Sequence, residues 1–207
     1  MPEVLKVGIA GLGTVGSETF KILTERSDFL YHRSGKKIEV TAVSAKNRTA
    51  ERGIDLSKVH WIDDARDLCR RSDVDVIVEL IGGSEGIAKE IAELALQNGK
   101  SLITANKALI AHKGDAIGKK AEEMNLKLGY EAAVAGGIPI IKTLREGLAS
   151  NKFTRLYGIL NGTCNYILTT MRETGRDFND VLGDAQKLGY AEADPSFDID
   201  GIDAAHK

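Results

Sequence analysis

The chain has 207 residues, enough for one large domain or two small ones, and its 43% hydrophobic and 28% charged residues exclude a disordered chain. With 28 basic against 30 acidic side chains the formal charge is -2, which excludes the basic excess of a nucleic-acid or anionic-membrane binder and leaves a small-molecule partner as the expectation. Cys69 and Cys164 are too far apart for a zinc or disulfide framework, no run reaches the roughly 20 apolar residues of a spanning helix, and Met1-Pro2-Glu3-Val4 opens no targeting region, so a cytoplasmic protein is expected.

Short apolar runs alternate with longer segments of helical period, the pattern of a parallel sheet flanked by helices. A strand is predicted from Val4 to Ala10, then a helix ending near Arg26, an insertion from Ser27 to Lys37, and a second strand from Ile38 to Val43. Further on come a short helix from Asp64 to Arg71, a fully buried strand from Asp75 to Ile81, a helix from Glu85 to Asn98 closed by Gly99, and a strand from Ser101 to Thr104. Ala116 to Met124 is predicted helical, Lys127 to Glu131 a strand, and Ile138 to Ala149 a helix with Pro139 in its first turn. Phe153 to Leu160 then reads as a strand, with helices from Cys164 to Glu173 and Phe178 to Lys187. The fold class is therefore α/β: a Rossmann doubly wound parallel sheet in residues 1–135, followed by the start of an α+β unit in residues 136–207. The helix beginning at Ile202 stops after about one turn, too short to stand alone, so the chain is expected to be part of a longer protein.

Gly11-Leu12-Gly13-Thr14-Val15-Gly16 satisfies G-x-G-x-x-G directly after the first strand and opens a helix. In that context the glycines supply a tight turn, close backbone approach to a pyrophosphate and close helix packing, with the phosphates on the helix N-terminus. An ordinary strand-to-helix turn is the alternative. The second strand ends in Ser44-Ala45-Lys46-Asn47-Arg48, without the carboxylate that binds a ribose 2′-OH. Lys46 and Arg48, with Ser44 as a donor, suit a 2′-phosphate, so NADP is expected ahead of NAD; a solvated basic loop competes with this reading.

Gly83 and Ser84 follow the buried strand at the sheet's carboxyl edge, where ligands of open parallel sheets bind, and are expected near the nicotinamide side. Asn106 and Lys107 follow the next strand at the same edge, and apolar neighbours on both sides argue against a freely solvated Lys107. Near the end Glu192, Asp194, Asp198, Asp200 and Asp203 crowd together, either as caps of turns or as a site. Asp203 and Lys207 are spaced to share one helix face, where each holds the other's charge and position.

Four segments carry a family likeness: Thr104-Ala105-Asn106-Lys107-Ala108-Leu109, Tyr130 to Ile140, Asn161-Gly162-Thr163-Cys164-Asn165-Tyr166, and Gly201-Ile202-Asp203-Ala204-Ala205-His206-Lys207. In this order, after the glycine fingerprint, they resemble the signatures of homoserine dehydrogenases along the whole chain. The resemblance implies an NAD(P)-dependent oxidoreductase acting on a CH-OH group, reversibly reducing aspartate 4-semialdehyde to homoserine on the way to threonine, methionine and isoleucine. It implies Lys207 as proton donor, Lys107 as a second active-site lysine between cofactor and substrate, and Glu192, Asp198 and Asp203 as acids that hold the substrate or the catalytic lysine. It further implies a monovalent cation, sodium, at Glu131, Val134, Gly136 and Ile138, a substrate domain that continues past Lys207, and a homodimer.

Two other readings compete. An acylating semialdehyde dehydrogenase would use Cys164 as its thiolate nucleophile. A non-catalytic module would bind NADP only to sense it, since a fold does not establish an activity. A chain ending at Lys207 is expected to be weakly active or unstable, because that lysine would sit at a frayed terminus.

Overall fold

The computed structural model describes residues 4–207; the Met1-Pro2-Glu3 start, read above for targeting, lies outside the described residues. They form two compact units dividing after Ile141, where the sequence placed the division after residue 135.

The first unit is a six-stranded sheet. In chain order it comprises β1 (Val4–Ala10), α1 (Thr14–Glu25), α2 (Ser27–Ser34), β2 (Lys37–Ser44), β3 (His60–Trp61), α3 (Ala65–Leu68) and β4 (Val76–Glu79). Then follow α4 (Ile87–Gln97), β5 (Ser101–Thr104), α5 (Lys107–Glu123), β6 (Leu128–Gly129) and a 3-10 turn at Glu131–Ala133. All pairings are parallel and the strand order is β3-β2-β1-β4-β5-β6, the expected doubly wound Rossmann arrangement. The order reverses between β1 and β4, so a crevice opens at the carboxyl ends of those two strands.

Strand alternation sends side chains to both faces. Val7, Ile9, Val76 and Val78 join Leu12 and Phe20 on one face, while Ile77 and Leu102 meet Ile91, Leu96, Leu109 and Ile117 of α4 and α5 on the other. Two covered faces explain why β4 reads as one continuous apolar run. At the opposite end of the sheet the buried Lys100 amine donates to the carbonyls of Arg71 and Val74 at 2.6 and 2.5 Å, which ties the turn before β4 to β5.

Several expectations are corrected. Ser27 to Lys37 holds the helix α2 rather than an irregular insertion; it buries no residue, so no apolar period announced it, and Asp28 in its first turn, Arg33 in its last and a left-handed Gly35 stabilise its ends. Helix α5 starts at Lys107, well before Ala116, because the Asn106 carboxamide accepts from the Leu109 N–H and caps it. The helix expected from Ile138 to Ala149 is a short α6 (Ile140–Lys142) that runs into a π-helical turn at Thr143–Gly147. Phe153 to Leu160 is not a strand: no partner strand is present among the described residues of its unit, and a strand without a ladder has nowhere to place its backbone hydrogen bonds.

The second unit consists of α7 (Gly162–Thr174), α8 (Phe178–Lys187), α9 (Ser196–Ile199) and α10 (Ile202–His206). Helices α7 and α8 form a hairpin through a left-handed Gly175, with Asp177 capping α8 and Ile167, Val181, Ala185 and Ala191 as its core. No helix among the described residues is long and apolar enough to cross a membrane.

Acid should loosen the first unit in a defined way. The Arg71 guanidinium donates to both oxygens of Asp73 at 2.8 and 2.7 Å and holds that carboxyl below its ordinary value of 3.8. A depressed folded value adds stability above the unfolded value, lost as pH falls through the folded one. Asp73→Asn is therefore expected to lower the urea midpoint at pH 7, and its difference from wild type should shrink as pH falls below the ordinary carboxyl value of 3.8.

Candidate functional site

The crevice at the sheet's carboxyl edge is built first by backbone. Gly11 has φ +101°, and a Cβ there would lie 2.6 Å from the Leu80 carbonyl oxygen, so only glycine lets the chain leave β1 beside the end of β4. Gly16 faces the Gly11 carbonyl too closely for any side chain, which allows the first turn of α1 to pack on the turn. A Cβ on Gly13, in contrast, would meet nothing within 4 Å. These are the three separate duties of a dinucleotide fingerprint, and the open one is where a pyrophosphate approaches. Thr14 and Val15 begin α1, which has no side-chain cap and no acid in its first turn, so its amide groups and positive dipole end suit an anion.

A cavity of about 930 Å3 lies against this turn, and its lining includes Gly11, Gly13, Ser44, Ala45, Lys46 and Arg52. Ser44 is buried, and its carbonyl accepts from the Gly11 N–H at 2.8 Å, which fixes the end of β2 to the turn. Arg48 does not line this cavity. It lies 5.9 Å above the Trp61 ring and lines a neighbouring cavity of about 490 Å3 with Arg52.

Gly83, Ser84, Asn106 and Lys107 also lie outside the lining of the larger cavity, along the edge toward β5. Asn106 is buried and its amide donates to the Gly83 carbonyl at 2.6 Å, joining the loop after β4 to the start of α5. Lys107 is the first residue of α5 and is half-buried, as its apolar flanks implied. Beyond β6, Glu131 accepts from the Ile141 N–H at 3.0 Å, and Ala135, Gly136 and Gly137 all have positive φ. The Ile138 carbonyl accepts from the Ile140 N–H at 2.8 Å, and this turn with its neighbouring Glu131 carries the oxygen donors that a hard cation would need. Among the described residues no cluster of three His, Cys, Asp or Glu side chains could hold a metal, so such a site would rest on backbone oxygens.

In the second unit the acids expected from the sequence are brought together by a residue that was not. The buried Asn161 amide donates to Asp198 and to Asp203, both at 2.8 Å, while its oxygen accepts from the Cys164 N–H at 2.7 Å and caps α7. Asp203 accepts from the Lys207 ammonium at 2.7 Å, and the same ammonium donates to the Leu160 carbonyl at 2.6 Å. One amide therefore separates two carboxylates, and one of these orients the lysine. Glu192 is exposed; its carbonyl accepts from Gln186, and its carboxylate takes no part in the Asn161 cluster. Burial and the nearby charges of Asp198 and Asp203 push the Cys164 thiol above its ordinary value, the opposite of what an acylating nucleophile needs.

A fingerprint on a Rossmann crevice, with an Asp–Lys pair held by Asn161, narrows the chemistry, and comparison with known proteins decides the family. Residues 11–131 match the family model described as the NAD binding domain of homoserine dehydrogenase, and residues 139–207 match the homoserine dehydrogenase model. The chain belongs to the homoserine dehydrogenase family. It is 50% identical to a homoserine dehydrogenase of Pseudomonas aeruginosa over 98% of its own length and 46% of the relative's, and 42% identical to that of Bacillus subtilis over 99% and 47%. The fold agrees with a crystal structure of the Thiobacillus denitrificans enzyme at a TM-score of 0.85 and 45% identity, covering 99% of this chain and 47% of that one. A hyperthermophilic archaeal homoserine dehydrogenase in complex with NADPH gives 0.80 at 30% identity, with 99% and 67% covered. The chain spans about half the length of the curated relatives it matches.

Within this oxidoreductase family, two residues of the site escaped sequence reasoning. Arg52 donates to the carbonyls of Leu12 at 3.1 Å, Ala50 at 2.8 Å and Asn47, and stacks 5.5 Å from Trp61, which locks the loop after β2 onto the glycine turn. No spacing rule marks such a contact, because the acceptors are backbone atoms. Asn161 left a fainter signal, an Asn directly before an apolar helical period, which is a cap signature. Asn161→Ala removes the cap and leaves two carboxylates without their shared donor, and urea denaturation should show a loss of about 1–3 kcal/mol. A loss below a few tenths would show the cluster to be unimportant for the fold.

Proposed function

We propose that the protein carrying this chain catalyses the reversible NADP-dependent reduction of aspartate 4-semialdehyde to homoserine. The observation that carries this reading is the Lys207 ammonium held by Asp203, itself held by Asn161, in a chain whose other unit has a complete dinucleotide turn. The turn at Gly11, Gly13 and Gly16, with the amides of Thr14 and Val15, would hold the pyrophosphate. Ser44, Ala45, Lys46 and Arg48 would hold the adenosine 2′-phosphate, and Gly83, Ser84, Asn106 and Lys107 the nicotinamide side. NAD remains the weaker ligand in this reading, since no carboxylate stands at the end of β2 to take a ribose hydroxyl.

When bound, the cofactor supplies the hydride, and the protein's part is charge, proton and position. Negative charge develops on the aldehyde oxygen as its carbon is reduced. The Lys207 ammonium stabilises that charge and delivers the proton, leaving a neutral amine that recovers a proton from solvent. Asp203 keeps Nζ aimed through its 2.7 Å hydrogen bond. Glu192 and Asp198 suit the substrate ammonium, and Lys107 a position between cofactor and substrate. Glu131, with the carbonyls of Val134, Gly136 and Ile138, would hold sodium as a structural ion. A cytoplasmic homodimer belongs to the same reading and rests on the family likeness alone.

Steady-state assays with homoserine and each cofactor test the proposal. Lys207→Met is expected to lower kcat by about 100-fold or more while NADPH still binds, as removal of a general acid does. Unchanged turnover would remove Lys207 from the catalytic role, and a wild-type protein that binds NADPH without turnover would be only a nucleotide-binding module. Arg48→Ala should weaken NADPH far more than NADH; Trp61, the only tryptophan of the chain, lies beneath Arg48 and its emission reports the binding. Equal losses would remove the NADP preference. Cys164→Ser should keep most of the activity, whereas its loss would favour a thioester route.

A further inference from the structure

Strand β4 ends in a residue that an apolar, two-faced strand should not contain. Glu79 is fully buried, at the point of the sheet where the strand order reverses. A carboxyl group in that position is tolerated only when its oxygens are fully engaged. One oxygen, Oε1, accepts from the N–H groups of Ile81 at 2.7 Å and Gly82 at 3.3 Å; the other, Oε2, accepts from the Thr104 hydroxyl at 2.6 Å. Thr104 is buried on the adjacent strand β5, and its hydroxyl oxygen accepts in turn from the Asn106 N–H at 3.0 Å. The circuit closes where the Asn106 amide donates to the Gly83 carbonyl.

The groups so connected are specific. Oε1 gathers the two amides that lead into Gly82 and Gly83, both in the left-handed region at φ +89° and +84°, and so fixes a loop that has no regular hydrogen bonding of its own. Oε2 fixes, through Thr104 and Asn106, the residue that caps α5 and hence the placement of Lys107 at its first turn. Two loops on neighbouring strands, both at the carboxyl edge, take their positions from one side chain. Simple stability of β4 would have been met by an apolar residue, as at Val76, Ile77 and Val78.

We infer that Glu79 is a positioning residue that sets the nicotinamide end of the nucleotide site and the place of Lys107, without touching cofactor or substrate. The inference rests on the NADP-dependent reading above and deepens it. A carboxylate is required because both oxygens must accept. In Glu79→Gln the new NH2 group must face either the two backbone N–H groups, which is repulsive, or the Thr104 hydroxyl, which then loses its acceptor.

The test compares two ligands on the purified protein: NADPH, whose own emission reports the nicotinamide environment, and 2′,5′-ADP, which lacks the nicotinamide half. Circular dichroism first establishes folding. For Glu79→Gln the NADPH dissociation constant should rise about fivefold or more, with the shift of bound NADPH emission reduced, while 2′,5′-ADP stays within about twofold of wild type. A slight displacement at the reacting end should also cost kcat about tenfold or more. Thr104→Val keeps the size of the side chain, deletes the donor to Oε2, and should reproduce the pattern in weaker form. Equal weakening of both ligands, or no change in either, would overturn the inference, as would unfolding of both variants, which would confine Glu79 to sheet stability. Wild-type protein that binds neither ligand would instead overturn the nucleotide reading on which the inference rests.

Discussion

How closely helix α1 can approach the end of β1 controls the rest of the first unit. The Gly16 α-carbon lies against the Gly11 carbonyl and the Gly11 α-carbon against that of Leu80, contacts that any Cβ would break. Because the backbone closes in this way, the amino end of α1 is drawn over the gap between β1 and β4. The helix then presents unpaired amide groups and the positive end of its dipole to a crevice, which makes an anion site without a charged side chain. The carbonyl of Ser44 and the guanidinium of Arg52 fasten the loop after β2 to the same turn. The basic side chains Lys46 and Arg48 are carried by that loop, so their placement follows from the geometry of the glycine turn.

A second principle recurs at both candidate centres: one buried polar side chain orders several groups around it. Glu79 gathers three donors from two loops of the sheet edge, and Asn161 separates Asp198 from Asp203 while capping α7. Each is buried and surrounded by satisfied hydrogen bonds, the condition under which buried polar groups rigidify a structure rather than weaken it. Lys207 and Lys107 belong to different compact units, and each has its own ordering system within its unit.

The Rossmann half was legible because its signals are local: continuous apolar runs for strands buried on two faces, glycines at fixed offsets, and a helical period for α4. Helix α2 was missed since none of its residues is buried, and the α5 start was missed since Asn106 reads equally well as a loop residue until its amide is seen to cap the helix. Phe153 to Leu160 has strand composition, yet composition does not supply the partner strand that would make it one. The resemblance placed Asp198, Asp203 and Lys207 at a site, and the structure brings these three together around Asn161, which stood in a family segment without a role assigned to it. Glu79 did leave a trace, a charged residue closing an apolar run, but its three donors come from backbone and from another strand, and a linear reading does not connect them.

The account turns on phosphates docking against the open face of Gly13. That residue has φ -74° and ψ -161°, a conformation open to any amino acid, and a Cβ there touches nothing. Gly13→Asp should therefore fold as the wild type does while placing a carboxylate where the pyrophosphate must lie. Titration with NADPH, followed by fluorescence, measures the consequence directly. The account predicts a folded protein whose NADPH binding is lost, and undiminished binding would show that the glycine turn is not the nucleotide site.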